Sequence, residues 1–437
     1  MMKLTLSRNQ QRILIVTGLV VLMLTVGLVL DLHYKGLAWR ILYRSTGEEE
    51  PFKQVYAFVG YLGNLTRRQP MTANDQITQY PVENPLGINT FLDLEVEPAK
   101  REQSLQMIQE AGFAWIRQQF RWDDIEINGR GNFTDDRNDV NGDGVKDAIS
   151  GWDKYDNIVD LAEQHQLKII ARLGSVPTWA QPAEAMPSFA PPTDPQDFAN
   201  FAGVLAARYK GRIGYYQIWN EPNIYPEWGQ QPVNPEAYTD LLCRAYKAIK
   251  AADPAAIVLS GALAPTLDIS GTNLNDLVFL QRMYQAGAQG CFDILGAQGY
   301  GLFSGPTDQR MRITQLNFAH VLWLRDLMVA NQDASKPIWI GEMAWNPVPN
   351  SPDIADLNRF GQVTDEQAAR YAVEAYERAR TEWPFVGVIS YWYFKRPADY
   401  EKNQSFYYFR MVEPDFTPLP VYDAMKAYAQ ERYGKRP

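Results

Sequence analysis

The chain has 437 residues, of which 46% are hydrophobic and 21% are charged, so it can bury a large core and is not a disordered or collagen-like protein. Lys and Arg number 42 against 51 Asp and Glu, and the resulting net charge of −9 disfavours nucleic acid as a partner. Aromatic residues reach 13%; most are expected in the core, but those near loop ends offer flat faces to sugar rings.

The scarcity of cysteine and histidine excludes several kinds of site. Cys243 and Cys291 are too few for a tetrahedral zinc cage, and two unpaired buried thiols are expected, with one disulfide as the alternative. The three histidines lie beside the first apolar segment or in predicted helices, which disfavours a Ser-His-Asp hydrolase; they are His33, His165 and His320. Neither a P-loop nor a GxGxxG fingerprint occurs in the sequence.

An apolar stretch near the N-terminus predicts a membrane anchor. Residues 13–30 are apolar apart from two threonines, and as a helix they would span roughly 27 Å at about 1.5 Å per residue, close to the ~30 Å apolar core of a bilayer. No small-residue cleavage site follows Leu30, which favours an uncleaved anchor over a removed signal peptide. Positive residues stay cytoplasmic, so Lys3, Arg8 and Arg12 predict that the rest of the chain lies outside.

The sequence divides into four predicted parts, with the lipid bilayer as the partner of the anchor. A short helix is expected to begin near Glu48 and run through Leu62, and the Pro-containing stretch 69–85 is either a linker or a wrap on the following domain. The four parts are a cytoplasmic N-terminus (1–12), a transmembrane anchor (13–32), a juxtamembrane segment and linker (33–85) and the main domain (86–437).

From residue 86 onward, short apolar runs alternate with amphipathic segments. Short apolar runs between helices are typical of buried parallel strands. The segments between them carry apolar residues at helical spacing, as at Tyr155, Ile158, Val159 and Ala162, which gives each helix one face for the sheet. The predicted strands are Leu86–Leu92, Trp115–Phe120, Lys168–Leu173, Ile213–Trp219, Ile257–Leu263, Phe292–Ala297, Pro337–Gly341 and Val386–Phe394.

Eight strands alternating with eight helices predict an α/β fold, a (β/α)8 TIM barrel preceded by a single transmembrane helix. An open, doubly wound sheet is the alternative. It normally carries a phosphate-binding loop after its first strand, and residues 89–93 do not form one. In a barrel, chemistry takes place where the strands end and the following loops begin.

Two glutamates follow apolar strands at that edge. Glu221 comes after the fourth strand and Glu342 after the seventh, and these strands stand nearly opposite each other in an eight-stranded barrel. A carboxylate beside a buried strand end is costly unless it is hydrogen-bonded or its pKa is raised. A helix cap or an arginine pair would explain one such glutamate. Two facing carboxyl groups, one protonated and one ionised, are what cleavage of a glycosidic bond needs.

Several motifs in order make this sequence similar to a known group of enzymes. Trp219-Asn220-Glu221-Pro222 resembles the Asn-Glu-Pro motif of clan A retaining glycoside hydrolases. The chain most resembles glycoside hydrolase family 39 and related bacterial exopolysaccharide glycosidases, over roughly residues 86–432. The resemblance implies glycosidase activity that requires no cofactor. The other matching segments are 115–126, Pro177-Thr178-Trp179-Ala180, Ile340-Gly341-Glu342 and 416–424.

The resemblance also implies a role for each matching residue. Glu221 is implied as the general acid/base and Glu342 as the nucleophile, with carboxyl groups roughly 5–5.5 Å apart. Asn220 would hydrogen-bond the sugar 2-hydroxyl, and Arg117 would keep Glu342 ionised. Tyr300 would orient the nucleophile, and Trp392 would lie beneath the sugar or belong to the core. The implied substrate-binding residues are Asn220, Arg117, Gln298, Tyr300, Trp179, Trp345 and Trp392.

The chain departs from the group at the end of the sixth strand. Relatives usually carry His-Pro-Tyr there, whereas this chain has Gln298-Gly299-Tyr300. A neutral amide does not titrate near pH 7. We therefore expect the two-glutamate mechanism to stay intact and the neighbouring substrate contact to differ.

An acidic loop after the second strand predicts a structural calcium ion. Its oxygen ligands alternate along the chain, and Gly144 permits the sharp turn that a calcium loop needs. The loop resembles those of dockerins and other extracellular modules. It is not an EF-hand, since Ser150 takes the place of the last glutamate, and a solvated turn is the alternative. The predicted ligands are Asp139, Asn141, Asp143, Val145 and Asp147.

Together these features predict a membrane-anchored, retaining β-glycoside hydrolase that acts on a polysaccharide or oligosaccharide outside the cytoplasm, with no obligatory protein partner. Transglycosylation through the same intermediate is one alternative, which apolar acceptor-side loops with Trp228 and Trp345 would favour. A non-catalytic carbohydrate-binding barrel is the other, and the presence of both glutamates disfavours it.

Overall fold

The computed structural model describes residues 7–139, 142–183 and 189–434. They group into two compact units. The first contains the chain up to Arg68 together with Thr307–Arg312, and the second contains Gln69–Pro306 and Ile313–Pro437.

The first unit is built from three helices: α1 (Arg8–His33), α2 (Leu37–Thr46) and α3 (Pro51–Asn64). Helix α1 is long and apolar enough to cross a membrane, a test that a signal sequence near the N-terminus also passes. Helix α3 is the short helix predicted from the sequence, whereas α2 is not among the predicted helices. The carboxylate of Asp31 caps α2 by accepting from the N–H groups of Leu37 and Trp39, at 2.9 and 3.1 Å.

The second unit contains all eight predicted barrel strands, and a small hairpin lies between the second and third of them. The strands are β1 (Leu86–Thr90), β2 (Trp115–Arg121), the hairpin strands β3 (Thr134–Asp135) and β4 (Ile149–Ser150), β5 (Lys168–Gly174), β6 (Tyr215–Ile218), β7 (Ile257–Leu259), β8 (Leu295–Gln298), β9 (Ile338–Met343) and β10 (Val386–Tyr391).

Helices follow the barrel strands as the sequence predicts. Each barrel strand is followed along the chain by one long helix, beginning with α4 after β1. After β2, the short helix α5 precedes the long helix α6. The helices are α4 (Pro98–Glu110), α5 (Trp122–Ile125), α6 (Asp153–Gln164), α7 (Pro195–Arg208), α8 (Pro235–Ala252), α9 (Asp276–Gln285), α10 (Val321–Ala330), α11 (Asp365–Glu382) and α12 (Pro420–Tyr433).

The strand order decides between a barrel and an open sheet. The barrel strands pair in parallel in the order β7-β6-β5-β2-β1-β10-β9-β8, in which neighbours in the chain are neighbours in the sheet. Parallel bridges from Leu259 to Ile294 and from Leu263 to Ala297 join the two edges. The sheet is therefore closed, and the predicted (β/α)8 barrel is confirmed.

Aromatic side chains fill the end of the barrel where the strands begin. Trp115 opens β2, and its ring centroid lies 5.1 Å from that of Trp339 on β9, which lies 5.0 Å from that of Tyr215 on β6. These rings pack with buried aliphatic residues such as Ile170 and Val388. The opposite end, where the strands finish, is left for the polar residues described below.

The stretch 69–85 lies against the barrel, as one of its two predicted interpretations expects. The N–H of Met71 donates to the carboxylate of Asp326 at 2.8 Å, and the N–H of Gln79 donates to the carbonyl of Ser335 at 2.8 Å. The guanidinium of Arg325 donates to the carbonyl of Thr72 at 2.9 Å.

The prediction of two free thiols is wrong, because Cys243 and Cys291 form a disulfide. Cys243 lies in α8, and Cys291 follows the turn after α9, so the two are 48 residues apart in the chain. Packing of α8 against α9 brings their Cα atoms to 4.7 Å. Nothing in the sequence spacing indicates this contact, since it depends on how two neighbouring helices pack.

We expect the disulfide to stabilise the second unit. In the chain-entropy account, closing a loop of this length constrains the unfolded chain by about 4 kcal/mol. Cys243→Ser should lower the melting temperature measured by circular dichroism, and a thiol reagent should detect one new thiol. Full labelling of two thiols in the unreduced wild-type chain would contradict this expectation.

Candidate active site

The backbone brings the two glutamates to the same end of the barrel. Glu342 is the next-to-last residue of β9, and Glu221 follows the end of β6. Trp219 and Glu221 have φ angles of 72° and 37°, in the left-handed region that non-glycine residues rarely adopt. The N–H of Glu221 donates to the carbonyl of Ala262 at 3.1 Å, and that of Trp219 to Leu173 at 2.9 Å, which holds the turn in place.

Glu342 is 4% exposed, and two side chains bind its carboxylate. Arg117 Nη1 donates to Oε1 at 2.9 Å, and the hydroxyl of Tyr300 donates to Oε2 at 2.7 Å. Burial, followed by the charge of Glu342, raises the pKa of Tyr300 well above its ordinary value, so its phenol stays protonated and remains a donor. Both oxygens of the Glu342 carboxylate therefore accept a hydrogen bond from a side chain.

Arg117 is itself held by Asn220 and by two side chains that the sequence analysis did not single out, Asn89 and Gln217. Its Nη1 also donates to Asn89 Oδ1 at 2.8 Å, its Nε donates to Gln217 Oε1 at 2.6 Å, and its Nη2 donates to Asn220 Oδ1 at 2.7 Å. Desolvation lowers the pKa of Arg117, and the charge of Glu342 opposes this shift. Asn89 and Gln217 did carry a signal in the sequence, since each is a polar residue within an apolar strand.

Glu221 lies in a different electrostatic environment. Burial raises its pKa well above the ordinary value, and the charges of Glu342 and Glu227 add to the increase. Gln298 Nε2 donates to Glu221 Oε1 at 3.0 Å, which opposes it. Gln298 thus contacts the predicted acid/base. Its own Oε1 is buried and finds no hydrogen-bond partner within the described part of the chain.

The arrangement provides two unequal carboxyl groups within one polar cluster. Glu342 interacts with a guanidinium and a phenol, whereas Glu221 has an amide donor and two neighbouring carboxylates. The two carboxyl groups therefore lie in unequal surroundings, and those of Glu221 favour its protonated form. Such a pair can donate a proton to a leaving oxygen and attack an electrophilic carbon.

Two further charged side chains line a cavity beside this cluster, and sequence reasoning missed both. Arg172 lies on β5, and Glu227 lies in the loop after β6. Glu227 forms a side-chain hydrogen bond with Asn220, and desolvation raises its pKa while the charge of Arg172 lowers it. Arg172 was hidden inside a predicted strand, and Glu227 belongs to no motif, so only the fold brings them together.

The three tryptophans predicted to contact substrate lie in different surroundings. Trp392 is half-buried, and its ring packs edge-on against Phe91 with centroids 5.5 Å apart. Trp179 is half-buried and donates from Nε1 to the carbonyl of Glu126 at 2.8 Å. Trp345 is 1% exposed and donates from Nε1 to the carbonyl of Ser304 at 2.7 Å.

Burial therefore corrects two expectations: the substrate contact of Trp345 and the acceptor-side position of Trp228. Trp345 is a core residue packed between Phe318 and Tyr371, and it presents no ring face to a substrate. Trp228, proposed for the acceptor side, is 2% exposed and packs against Trp219. Both residues follow strand ends in the sequence, but their side chains are buried in the interior of the folded chain.

The acidic loop lies between β3 and β4. Asp139 Oδ1 accepts from the N–H of Gly142 at 2.7 Å, and its Oδ2 accepts from the N–H of Gly144 at 2.7 Å. Asp143 accepts from the N–H of Val145 at 2.8 Å, and Asp147 lies further along the loop. Asn141 lies outside the described residues, and within them no group of three acidic, His or Cys ligands is placed to hold a metal. These contacts build the turn itself and do not support the predicted calcium site.

Comparison with known proteins agrees with this geometry. The profile of cellulase (glycosyl hydrolase family 5) matches residues 75–279. A search of curated proteins found no significant match. The predicted resemblance to clan A glycoside hydrolases is confirmed. The structural matches below are 18% identical to this chain and show the shared fold.

Several solved structures share the fold. A family 39 glycoside hydrolase from Bacteroides cellulosilyticus WH2 is 18% identical with a TM-score of 0.56, and the match covers 79% of this chain and 63% of that one. A family 39 β-xylosidase from Caulobacter crescentus is 18% identical with a TM-score of 0.54, and the match covers 83% of this chain and 72% of that one. A family 5 subfamily 18 enzyme from Streptomyces cattleya is 18% identical with a TM-score of 0.57, and the match covers 82% of each chain. The chain thus spans less than two thirds of the first of these proteins.

Replacement of Gln298 should change the pH dependence of any glycoside hydrolysis by this chain. In Gln298→Met, Glu221 loses the amide donor that stabilises its carboxylate, so the pKa of Glu221 should rise further. The basic limb of the kcat/KM profile should then move to higher pH, with activity at the optimum reduced about tenfold. Gln106→Met on the exposed side of α4 serves as the matched control, and an unmoved basic limb in Gln298→Met would contradict the assignment.

Proposed function

We propose that this chain is a membrane-anchored, retaining β-glycoside hydrolase that cleaves O-glycosidic bonds of a polysaccharide or oligosaccharide outside the cytoplasm. The observation that carries the proposal is the unequal pair formed by Glu342, bound to Arg117 and Tyr300, and Glu221, whose pKa is raised. Arg117 and Tyr300 favour the anion that a nucleophile must be. The environment of Glu221 favours the proton that a general acid must carry.

The chemistry runs in two displacements. In the first, the Glu342 carboxylate attacks the anomeric carbon while Glu221 gives its proton to the leaving oxygen, and a covalent glycosyl-enzyme results. In the second, Glu221 takes a proton from water, which attacks the same carbon and releases Glu342. Each displacement inverts the anomeric carbon, so the product keeps the configuration of the substrate.

The neighbouring residues support these steps by position. Asn220 accepts from Arg117 and contacts Glu227, which fixes its amide beside the cluster for a hydrogen bond to the sugar 2-hydroxyl. Trp392 is partly exposed and is suited to lie beneath the sugar, and Trp179 is suited to a more distant contact.

The position of the chain in the cell is proposed from two features. Helix α1 has the length and composition of a membrane span, with positive residues before it and the main unit after it. The disulfide between Cys243 and Cys291 is typical of proteins outside the reducing cytoplasm. The domain limits at residues 12, 32 and 85 stay predictions, as does calcium binding by the acidic loop.

Hydrolysis is favoured over the two alternatives. Trp228 and Trp345, whose apolar faces would favour a sugar acceptor over water, are buried in the core. A non-catalytic carbohydrate-binding barrel would have no need of a carboxylate held by both Arg117 and Tyr300, because such a buried ion pair is costly to assemble.

The stereochemistry of the product tests the mechanism. The full chain in detergent is incubated with a panel of β-linked oligosaccharides, and the first-formed anomer is followed by proton NMR. We expect retention of configuration, with Glu342→Gln reducing kcat at least about 10⁴-fold. Glu102→Gln on exposed α4 is the matched control and should leave kcat unchanged. Net inversion, or full activity in Glu342→Gln, would rule out the double displacement.

Membrane anchoring is tested by fractionation. The full chain should stay in the pellet after alkaline extraction of membranes, because α1 remains in the bilayer and is not cleaved. Protease added outside intact spheroplasts should digest the barrel. A mature chain whose N-terminus is found by Edman sequencing near residue 35 would identify α1 as a signal peptide instead.

A further inference from the structure

A cavity of about 350 Å³ reaches Asn220 of the Asn-Glu-Pro motif, and two of its charged wall residues, Arg172 and Glu227, have no role assigned by the sequence motifs. This volume lies within the range of small-ligand sites. Its walls come from the ends of β2 and β5, from the loop after β6 and from Phe189, and it reaches Asn220. The cavity therefore continues the proposed active site through the side chain that would bind the sugar 2-hydroxyl.

The cavity carries hydrogen-bonding groups of both kinds. Arg172 Nη2 donates to Gln119 Oε1, and Glu227 bonds to Asn220. Among the described contacts, the two charged groups are not paired with each other within 4 Å, although they are close enough for Arg172 to lower the pKa of Glu227. A group that lies between them must accept from a guanidinium and donate to a carboxylate, and a sugar hydroxyl does both.

The charges around the cavity are balanced without a ligand. Arg121 donates to both carboxylate oxygens of Asp123, at 3.0 and 2.9 Å, so its charge is already neutralised. Arg172 and Glu227 supply one charge of each sign. A carboxylate on the sugar would add a second negative charge beside Glu227, and the single charge of Arg172 would then face two carboxylates, so its desolvation would be costly.

One wall is aromatic. Phe189 lines the cavity and is 39% exposed, unlike the buried Trp345 and Trp228. A partly exposed ring beside polar groups is the surface on which the C–H face of a sugar ring can stack, while the hydroxyls at its rim meet the polar wall.

We propose that this cavity is a subsite for an uncharged sugar unit of the substrate, where Arg172 donates to and Glu227 accepts from ring hydroxyls and Phe189 packs on the ring. The inference rests on the proposed glycosidase function, since it adds a neighbouring unit to the same cleft. It also names the substrate class: a neutral glycan, as distinct from a uronate-containing one.

Calorimetry on the full chain in detergent tests the inference. The Glu342→Gln background prevents turnover, and the probes are neutral β-linked gluco-, xylo-, manno- and galacto-oligosaccharides beside glucuronate and mannuronate oligomers of equal length. We expect at least one neutral series to bind at least about tenfold more tightly than the uronate oligomers. Glu227→Gln and Arg172→Gln, each added to that background, should weaken binding of that series by about tenfold or more, because each removes one partner of a shared hydroxyl.

Glu102→Gln in the same background is the control and should leave the dissociation constant unchanged. Tighter binding of a uronate oligomer, no binding of any neutral series, or unchanged dissociation constants in both cavity variants would overturn the inference. The comparison of neutral with uronate probes needs no cavity variant, so it decides the question even if a variant fails to fold. Hydrolysis by the wild-type chain is scored separately: its presence keeps the proposed function when the subsite fails, and its absence removes that function.

Discussion

The candidate site depends on one buried ion pair, that between Arg117 and Glu342. A guanidinium and a carboxylate are costly to remove from water, and the cost is offset only where every remaining hydrogen-bonding group also finds a partner. Here Asn89, Gln217 and Asn220 accept the other hydrogen bonds of Arg117. The contacts around the ion pair therefore link residues of β1, β2 and β9 and residues in and just after β6. The same contacts that make the charges tolerable also fix the position of the carboxylate in space, which is what a nucleophile needs.

The ion pair also affects the pKa of the second glutamate, Glu221. Glu342 accepts from Arg117 and Tyr300, and its charge acts on the neighbouring carboxyl group of Glu221. Burial already disfavours ionisation of Glu221, and the charge of Glu342 adds to this effect. Two residues of one chemical type thereby lie in unequal surroundings, as the proposed double displacement requires. Gln298 contacts Glu221 through an amide, which adds no ionisable group of its own.

The residues that stabilise the barrel by packing and the residues of the candidate site lie at opposite ends of its axis. Trp115 and Trp339 pack together at the end where the strands begin, among buried aliphatic side chains. The ends where the strands finish can then carry buried charges, strained turns and a cavity, since the remainder of the fold supports them. The left-handed backbone at Trp219 and Glu221 belongs to this end of the barrel.

The sequence by itself determined the eight strands, the closed barrel and the two glutamates, because short apolar runs, helical periodicity and strand-end motifs are local patterns. Tertiary structure alone decided the rest. It joined Cys243 to Cys291 across neighbouring helices, turned Trp345 into the core, and brought Arg172 and Glu227 to one cavity. Pairing, burial and charge balance depend on distances between residues remote in the chain, and no local pattern encodes those distances.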